Sequence, residues 1–348
     1  MTPVAKIGSV IVGLLAVHAA FVLVSPQGIA EEVGTSPVRA GIVFDVGGRG
    51  DKSFNDGAYI GGKRASDSLG VGIRMIEPGD GTDREAGVRL LAAEGMNIVI
   101  GVGFIFTDDL ARLAVEYPDT KFAGVDYALS TDAAGNVIAP PPNVAALKFR
   151  EEEGSFLVGA LAALVGGSRK VGFVGGMDIP LINKFEAGYR AGVKHVCPDC
   201  EVIAQYAGVT PEAFANPTKG KELALTQYRS GVKVIFQAAG STGLGVFEAA
   251  RQTGSLAIGV DADQYDEAPG YILTSMVKGV SASVYDIIGR VHTGTFKGGI
   301  YSFGLKENGV GYVYDERNRA LIPDAVHARI EALRQEIIDG RIKVPTER

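Results

Sequence analysis

A doubly wound α/β architecture in two similar lobes is the fold class predicted for this 348-residue chain. Short apolar runs alternate with helical stretches, the pattern of parallel strands covered on both faces. That alternation runs through twice, on either side of a Pro/Gly-rich segment at 132–143. The length, at roughly 150 residues per domain, also suits two domains.

The elements follow in order. Ala40 to Phe44 (AGIVF) is an apolar strand ending in Asp45 and glycines, and the spacing from Phe54 to Leu69 is helical. Val71 to Ile76 reads as a strand, Asp83 to Glu94 as a helix and Asn97 to Gly101 as a strand. A helix from Asp108 to Glu116 precedes the strand Lys121 to Val125, which ends at Asp126. The 132–143 segment (DAAGNVIAPPPN) is a candidate crossing between lobes. The rhythm then restarts with a helix from Glu153 to Val165, a strand from Lys170 to Val174, a helix from Asn183 to His195 and a strand from Glu201 to Tyr206. Asn216 reads as an N-cap with Pro217 at the first helical position, opening a helix to Arg229. Val232 to Phe236 is a strand, Thr242 to Gln252 a helix, Ala257 to Val260 a strand ending at Asp261, and Tyr271 to Ser275 a last strand before a helix after Gly279. Asp45, Asp126 and Asp261 thus follow three strands, and open α/β sheets bind ligands beyond the carboxyl ends of their strands.

Composition narrows the function. The hydrophobic fraction of 46% excludes global disorder. Lysine plus arginine is 34 against 40 aspartates plus glutamates, a net charge of −6 that argues against nucleic acid as partner. Two cysteines exclude a disulfide-rich scaffold and a four-cysteine zinc site. Glycine, at 48 residues, is about twice its usual share and has no collagen-like period. At the N-terminus, Lys6 precedes an apolar run from Ile7 to Val24, with small residues at Gly28 and Ala30. Residues 1–30 are expected to be a secretory signal cleaved near Ala30. A retained anchor is the alternative, since the run of about 18 residues could span a membrane. The mature chain is expected to be exported.

The segment 46–53 (VGGRGDKS) lies where a phosphate loop would, but Asp51 stands in place of the glycine that loop requires. It reads instead as a glycine-rich turn delivering Ser53, Phe54, Asn55 and Asp56 to a helix mouth, where Asn and Asp also suit capping. Cys197-Pro-Asp-Cys200 suits a redox pair or a disulfide clasping a turn; a helix before it and a strand after it favour the clasp. Gly240-Ser-Thr-Gly-Leu-Gly245 lacks the dinucleotide spacing but can present backbone N–H groups to a ligand. The four histidines have no ligand-like partner at helical spacing, and neither a nucleophile elbow nor HExxH occurs, so no metal or cofactor is expected and binding is favoured over catalysis. Phe54 and Phe185 open helices in different halves and suit a planar ligand clamped from both sides, or else packing in the core of each lobe.

Phe44-Asp45-Val-Gly-Gly, Lys52-Ser-Phe-Asn-Asp56, Gly124-Val-Asp126, Lys184-Phe-Glu-Ala-Gly-Tyr189, Gly259-Val-Asp-Ala-Asp-Gln264 and Ser275-Met-Val-Lys278 together resemble the basic membrane protein (BMP) family. These are PnrA-like substrate-binding proteins of ABC importers, and the likeness spans almost the whole mature chain. It implies a type I periplasmic-binding-protein fold, two doubly wound parallel-sheet lobes joined by crossing hinge strands. The lobes are expected at 38–146 with 271–298, and at 147–265 with 299–340. The resemblance also implies a purine nucleoside in the cleft. Phe54 and Phe185 would stack on the base, Asn55 and Asp126 would bond its polar edge, and Asp261, Gly240 and Lys278 would hold the ribose, with Asp45 lining the same cleft. A free purine base or a sugar is the alternative ligand. The implied partners are a membrane permease and its ATPase, and a monomer is expected. Many members of the family are lipoproteins; this chain has no cysteine near its apolar run, which points to a freely diffusing periplasmic protein. A nucleoside hydrolase would require a water-activating group or a metal.

Overall fold

The computed structural model describes residues 29–32, 34–78 and 83–348. The expected signal at 1–30 therefore lies almost wholly outside the described residues. The cleavage point expected near Ala30 falls within β1 (Ile29–Glu32), which runs antiparallel on the edge of the first sheet.

The first lobe follows the alternating pattern closely. β2 (Arg39–Val43), α1 (Phe54–Leu69), β3 (Gly72–Ile76), α2 (Arg84–Ala93), β4 (Ile98–Val102), α3 (Thr107–Glu116), β5 (Lys121–Val125) and β6 (Val144–Phe149) build a sheet in the order β1-β3-β2-β4-β5-β6-β12, with β12 at Gly299–Phe303. All its pairings except that of β1 are parallel. β4 is buried at every position, as a strand covered on both faces must be. α1 stops where Gly70 turns left-handed at φ 66°, a conformation glycine adopts without a side-chain clash.

The second lobe comprises α4 (Glu151–Val165), β7 (Lys170–Met177), α5 (Pro180–Val196), β8 (Glu201–Gly208), α6 (Pro217–Arg229), β9 (Val234–Ala238), α7 (Thr242–Thr253), β10 (Leu256–Asp261), β11 (Ile272–Lys278), β13 (Val310–Tyr312) and α9 (Asp324–Ile338). Its sheet order is β13-β11-β10-β9-β7-β8. Asn216 caps α6 as the sequence predicts, its side-chain oxygen accepting the Lys219 amide at 3.0 Å. Cys197 and Cys200 are disulfide-bonded across the turn between α5 and β8, with Cα atoms 5.3 Å apart. α4 and α5 meet backbone to backbone, because Gly159, Gly188 and Gly192 leave no Cβ between them.

The crossings between lobes differ from those expected. The 132–143 segment does not change lobes. It folds back on itself through an isolated Thr131–Val137 bridge, and the Asn143 carbonyl accepts the Phe122 amide, so that β6 adds directly beside β5. The chain crosses instead at Arg150, between β6 and α4. Residues 271–278, expected in the first lobe, form β11 of the second, because the short return from β10 places it as the next parallel neighbour. It crosses back at Gly279 into α8 (Val280–His292), which packs on α1 where Gly57 and Gly61 face Val280 and Val284. β12, expected in the second lobe, pairs with β6 in register from Gly299↔Ala145 to Phe303↔Phe149. A third crossing then leads to β13. The residue pattern of β11 (ILTSMVK) or of β12 (GIYSF) does not record which sheet it joins, so pattern alone cannot assign it.

Candidate functional site

A narrow cleft, with a free volume of only about 60 Å³ in this structure, lies between the lobes at the carboxyl ends of both sheets. All eight predicted residues line it: Asp45, Phe54, Asn55, Asp126, Phe185, Gly240, Asp261 and Lys278. Each arrives by a short path from a strand end or helix start. Asp45 follows β2; Phe54 and Asn55 open α1; Asp126 follows β5; Phe185 lies on the first turns of α5. Gly240 separates β9 from α7, Asp261 ends β10 and Lys278 ends β11.

Asp126 and Asp261 occupy matching places in the two lobes and share an unusual backbone, with φ of 59° and 64°. The left-handed region is costly for most residues and more accessible to Asp and Asn. It lets each carboxylate turn from its strand end into the cleft. Lys278 connects the two. Its Nζ donates to Asp126 Oδ2 at 2.7 Å and lies 3.7 Å from Asp261 Oδ1 and 3.8 Å from Glu151 Oε1. Burial opposes its charge, but these three carboxylates prevail and hold the ammonium above its ordinary range. The same ammonium sits 4.8 Å from the ring centre of Phe54 and 5.5 Å from that of Phe185. Phe185 is only 2% exposed and also packs near Phe236, ring centres 6.4 Å apart, so it serves core and cleft together.

Two oxygens in this array lack a donor. Asp126 Oδ1 and Asp261 Oδ1 are buried without a hydrogen-bond partner, although a buried acceptor normally has one. Burial raises the Asp261 carboxyl above its ordinary range, with Lys278 opposing. Asp45 is pushed up to about 7 by burial and by its neighbours Asp126 and Asp51, against the Val46 amide that donates to it. Gly103, at φ 115°, passes so close to Asp45 that a Cβ there would collide with the carboxylate.

Asn55 contributes less to the cleft than expected. Its Oδ1 accepts the Asp45 amide at 3.0 Å and its Nδ2 donates to Asp51 Oδ2 at 3.2 Å, so most of the side chain is committed to the framework. Neither Asn55 nor Asp56 caps α1. Asp51 does so, accepting the amides of Ser53, Asn55 and Asp56 at 2.8–3.1 Å.

The sequence reading missed several lining residues, namely Asp51, Phe104, Leu181, Ile182 and Phe214, and also Glu151, which is 1% exposed behind Lys278. The position of Asp51 just ahead of the helix was the available signal. Glu151 stands in a run of three glutamates that resembles a solvated face. Lys184 binds Glu151 and donates to the Phe149 carbonyl at 2.7 Å, tying α5 to the first crossing. Among the described residues, no group of three His, Cys, Asp or Glu side chains is arranged to hold a metal ion, and no helix is long and apolar enough to cross a membrane. The site therefore offers flat apolar faces, two carboxylate oxygens without a hydrogen-bond donor and one shared cation. This set suits an uncharged ligand with a planar part and several hydrogen-bond donors.

Residues 39–348 match the model of a family described as "ABC transporter substrate-binding protein PnrA-like". An ABC transporter nucleoside-binding protein BmpA of Lactococcus lactis subsp. cremoris is 33% identical over 332 residues, covering 89% of this chain and 90% of that protein. An uncharacterized lipoprotein of Pyrococcus abyssi is 39% identical over 289 residues, covering 79% of this chain and 69% of its own length. A solved solute-binding protein of an ABC transporter system from Aeropyrum pernix K1 superposes with a TM-score of 0.81 at 32% identity, covering 90% of this chain and 94% of that one.

Proposed function

The chain belongs to the PnrA-like family of ABC transporter substrate-binding proteins, and on that premise we propose that it binds a purine nucleoside between its lobes and delivers it to a membrane permease with its ATPase. The pair of donorless oxygens, Asp126 Oδ1 and Asp261 Oδ1, on two aspartates that line one cleft beside two phenylalanines from different lobes, carries the reading. A nucleoside supplies a base for the rings and hydroxyl and amine donors for the oxygens. Leaving such acceptors unpaired costs roughly 1–3 kcal/mol each, which ligand donors would recover.

In this reading Phe54 and Phe185 stack on the base, and Asp126 bonds its polar edge. Asn55 assists only through its remaining amide hydrogen. Asp261 and the Gly240 backbone hold the ribose hydroxyls, and Lys278 balances the carboxylates. Asp45, largely protonated below about pH 7, adds a donor or acceptor at the cleft floor. The chain recognises and releases its ligand without chemical change. Its relative's designation as nucleoside-binding supports the same ligand class. Export by the segment 1–30 into the periplasm completes the reading; N-terminal sequencing of the periplasmic protein tests it.

Isothermal calorimetry with adenosine, guanosine, inosine, the free bases and ribose tests the ligand. Nucleosides are expected to bind at micromolar Kd or tighter. Binding of ribose but of no nucleoside would replace this reading with a sugar receptor.

A further inference from the structure

At one edge of the cleft the lobes are joined directly. Ser53, from the first lobe, is 1% exposed. Its hydroxyl faces two acceptors of the second lobe, the Val260 carbonyl at 3.1 Å and Asp261 Oδ2 at 2.8 Å. Beside it, Gln264 is fixed within the second lobe. Its Oε1 accepts Gln237 Nε2 at 2.9 Å and the Val260 amide at 2.8 Å, and its own amide donates to Ser275 Oγ at 3.0 Å. Its Nε2 then crosses the boundary and donates to the Lys52 carbonyl at 3.0 Å. Lys52 is itself left-handed, at φ 57°. The loop before α1 thus holds an unfavourable backbone where it meets the other lobe, and strain of this kind persists only where surrounding contacts impose it.

We propose that Ser53 is the positioning residue of lobe closure, latching the first lobe to Asp261 and, by occupying Oδ2, reserving Oδ1 for the ligand. Gln264 is the preformed second contact of the latch. The hydroxyl acts through Asp261 and the closed state rather than by touching the ligand, so its loss speeds ligand release without impeding entry. The nucleoside reading enters only in the choice of probe.

Surface plasmon resonance with adenosine on wild type, Ser53→Ala and Ser53→Thr tests the latch. Dissociation from Ser53→Ala is expected to be about tenfold faster, as for loss of a hydrogen bond to a charged acceptor. Association should stay within about twofold, and Ser53→Thr should keep the wild-type off-rate. Any fall in the urea midpoint of Ser53→Ala without adenosine should be restored in Ser53→Thr together with the off-rate, since the latch is already formed in the free protein. An unchanged off-rate in Ser53→Ala, or a change confined to the urea midpoint, overturns the proposal. Should wild type ignore adenosine, only the nucleoside reading fails. Small-angle scattering then decides the latch: Ser53→Ala must show the larger radius of gyration, and equal radii refute it.

Discussion

Phe185 and Asp45 show what a single side chain contributes here. Phe185 lies on the cleft wall and touches the aromatic core of its lobe. Phe185→Ala should weaken nucleoside binding by about 1–3 kcal/mol, the usual worth of one base–aromatic stack; equal calorimetric Kd values for variant and wild type would refute stacking. Asp45 carries a pH signature. The unfolded chain releases its proton near 3.8, whereas the folded protein keeps it to about 7. Between these values the folded state binds more protons, so stability falls as pH rises through the window and levels off above it. Asp45→Asn removes this loss. Its stability gain over wild type, from urea midpoints across pH 4–8, should be small near pH 4, grow to about pH 7 and then plateau; a constant gain would exclude Asp45 as the source. The candidate residues were legible because each follows a strand or opens a helix beside recognisable neighbours. Asp51 and Glu151 were not, because nothing in a run of charged residues records which carboxylate loses its water.

Among the elements, the α4–α5 pair is a joint of close backbone approach. A Cβ at Gly192 would run into the Phe156 carbonyl oxygen, a backbone atom that cannot rotate away. Gly192→Ala should therefore lower stability by about 1–3 kcal/mol through overpacking, despite alanine's better helix propensity. Chemical denaturation measures it, and a stabilised variant would show that the helices part freely. The same joint sets the direction of α5 and so the place of Phe185, which makes a weaker Kd in this variant a second expected result. Helix and strand positions were readable because apolar spacing reports local burial. Their ends were less so: α5 starts at Pro180 rather than Asn183, and β7 runs to Met177 rather than Val174. There the limits are set by sheet neighbours and by a proline at the first helical turn.

At the scale of the whole molecule, the proposed function has the two lobes close about three chain crossings. A ligand bound across the cleft stabilises only the folded, closed form. At a hundredfold excess over Kd it should add about 2.7 kcal/mol to unfolding stability, visible as a rise in Tm with adenosine and absent with a compound the cleft rejects. A Tm that does not respond to a nucleoside shown to bind by calorimetry would mean that the unfolded chain binds it as well, and would refute a ligand held by the folded cleft alone.

By itself the sequence determined the two α/β lobes, the cleft at their strand ends and the identity of eight of the residues that line it. The lobes follow from periodicity and the cleft from the strand ends, whereas the set of eight residues follows from motifs in which the chain resembles the family. Only the tertiary structure decided which lobe owns β11 and β12, since a five- to seven-residue pattern does not record its partner, which is chosen by long-range packing. It also decided that Asn55 holds the framework, that Asp51 caps α1, and that Ser53 and Gln264 join the lobes. Those assignments depend on hydrogen-bond partners up to 212 residues away along the chain.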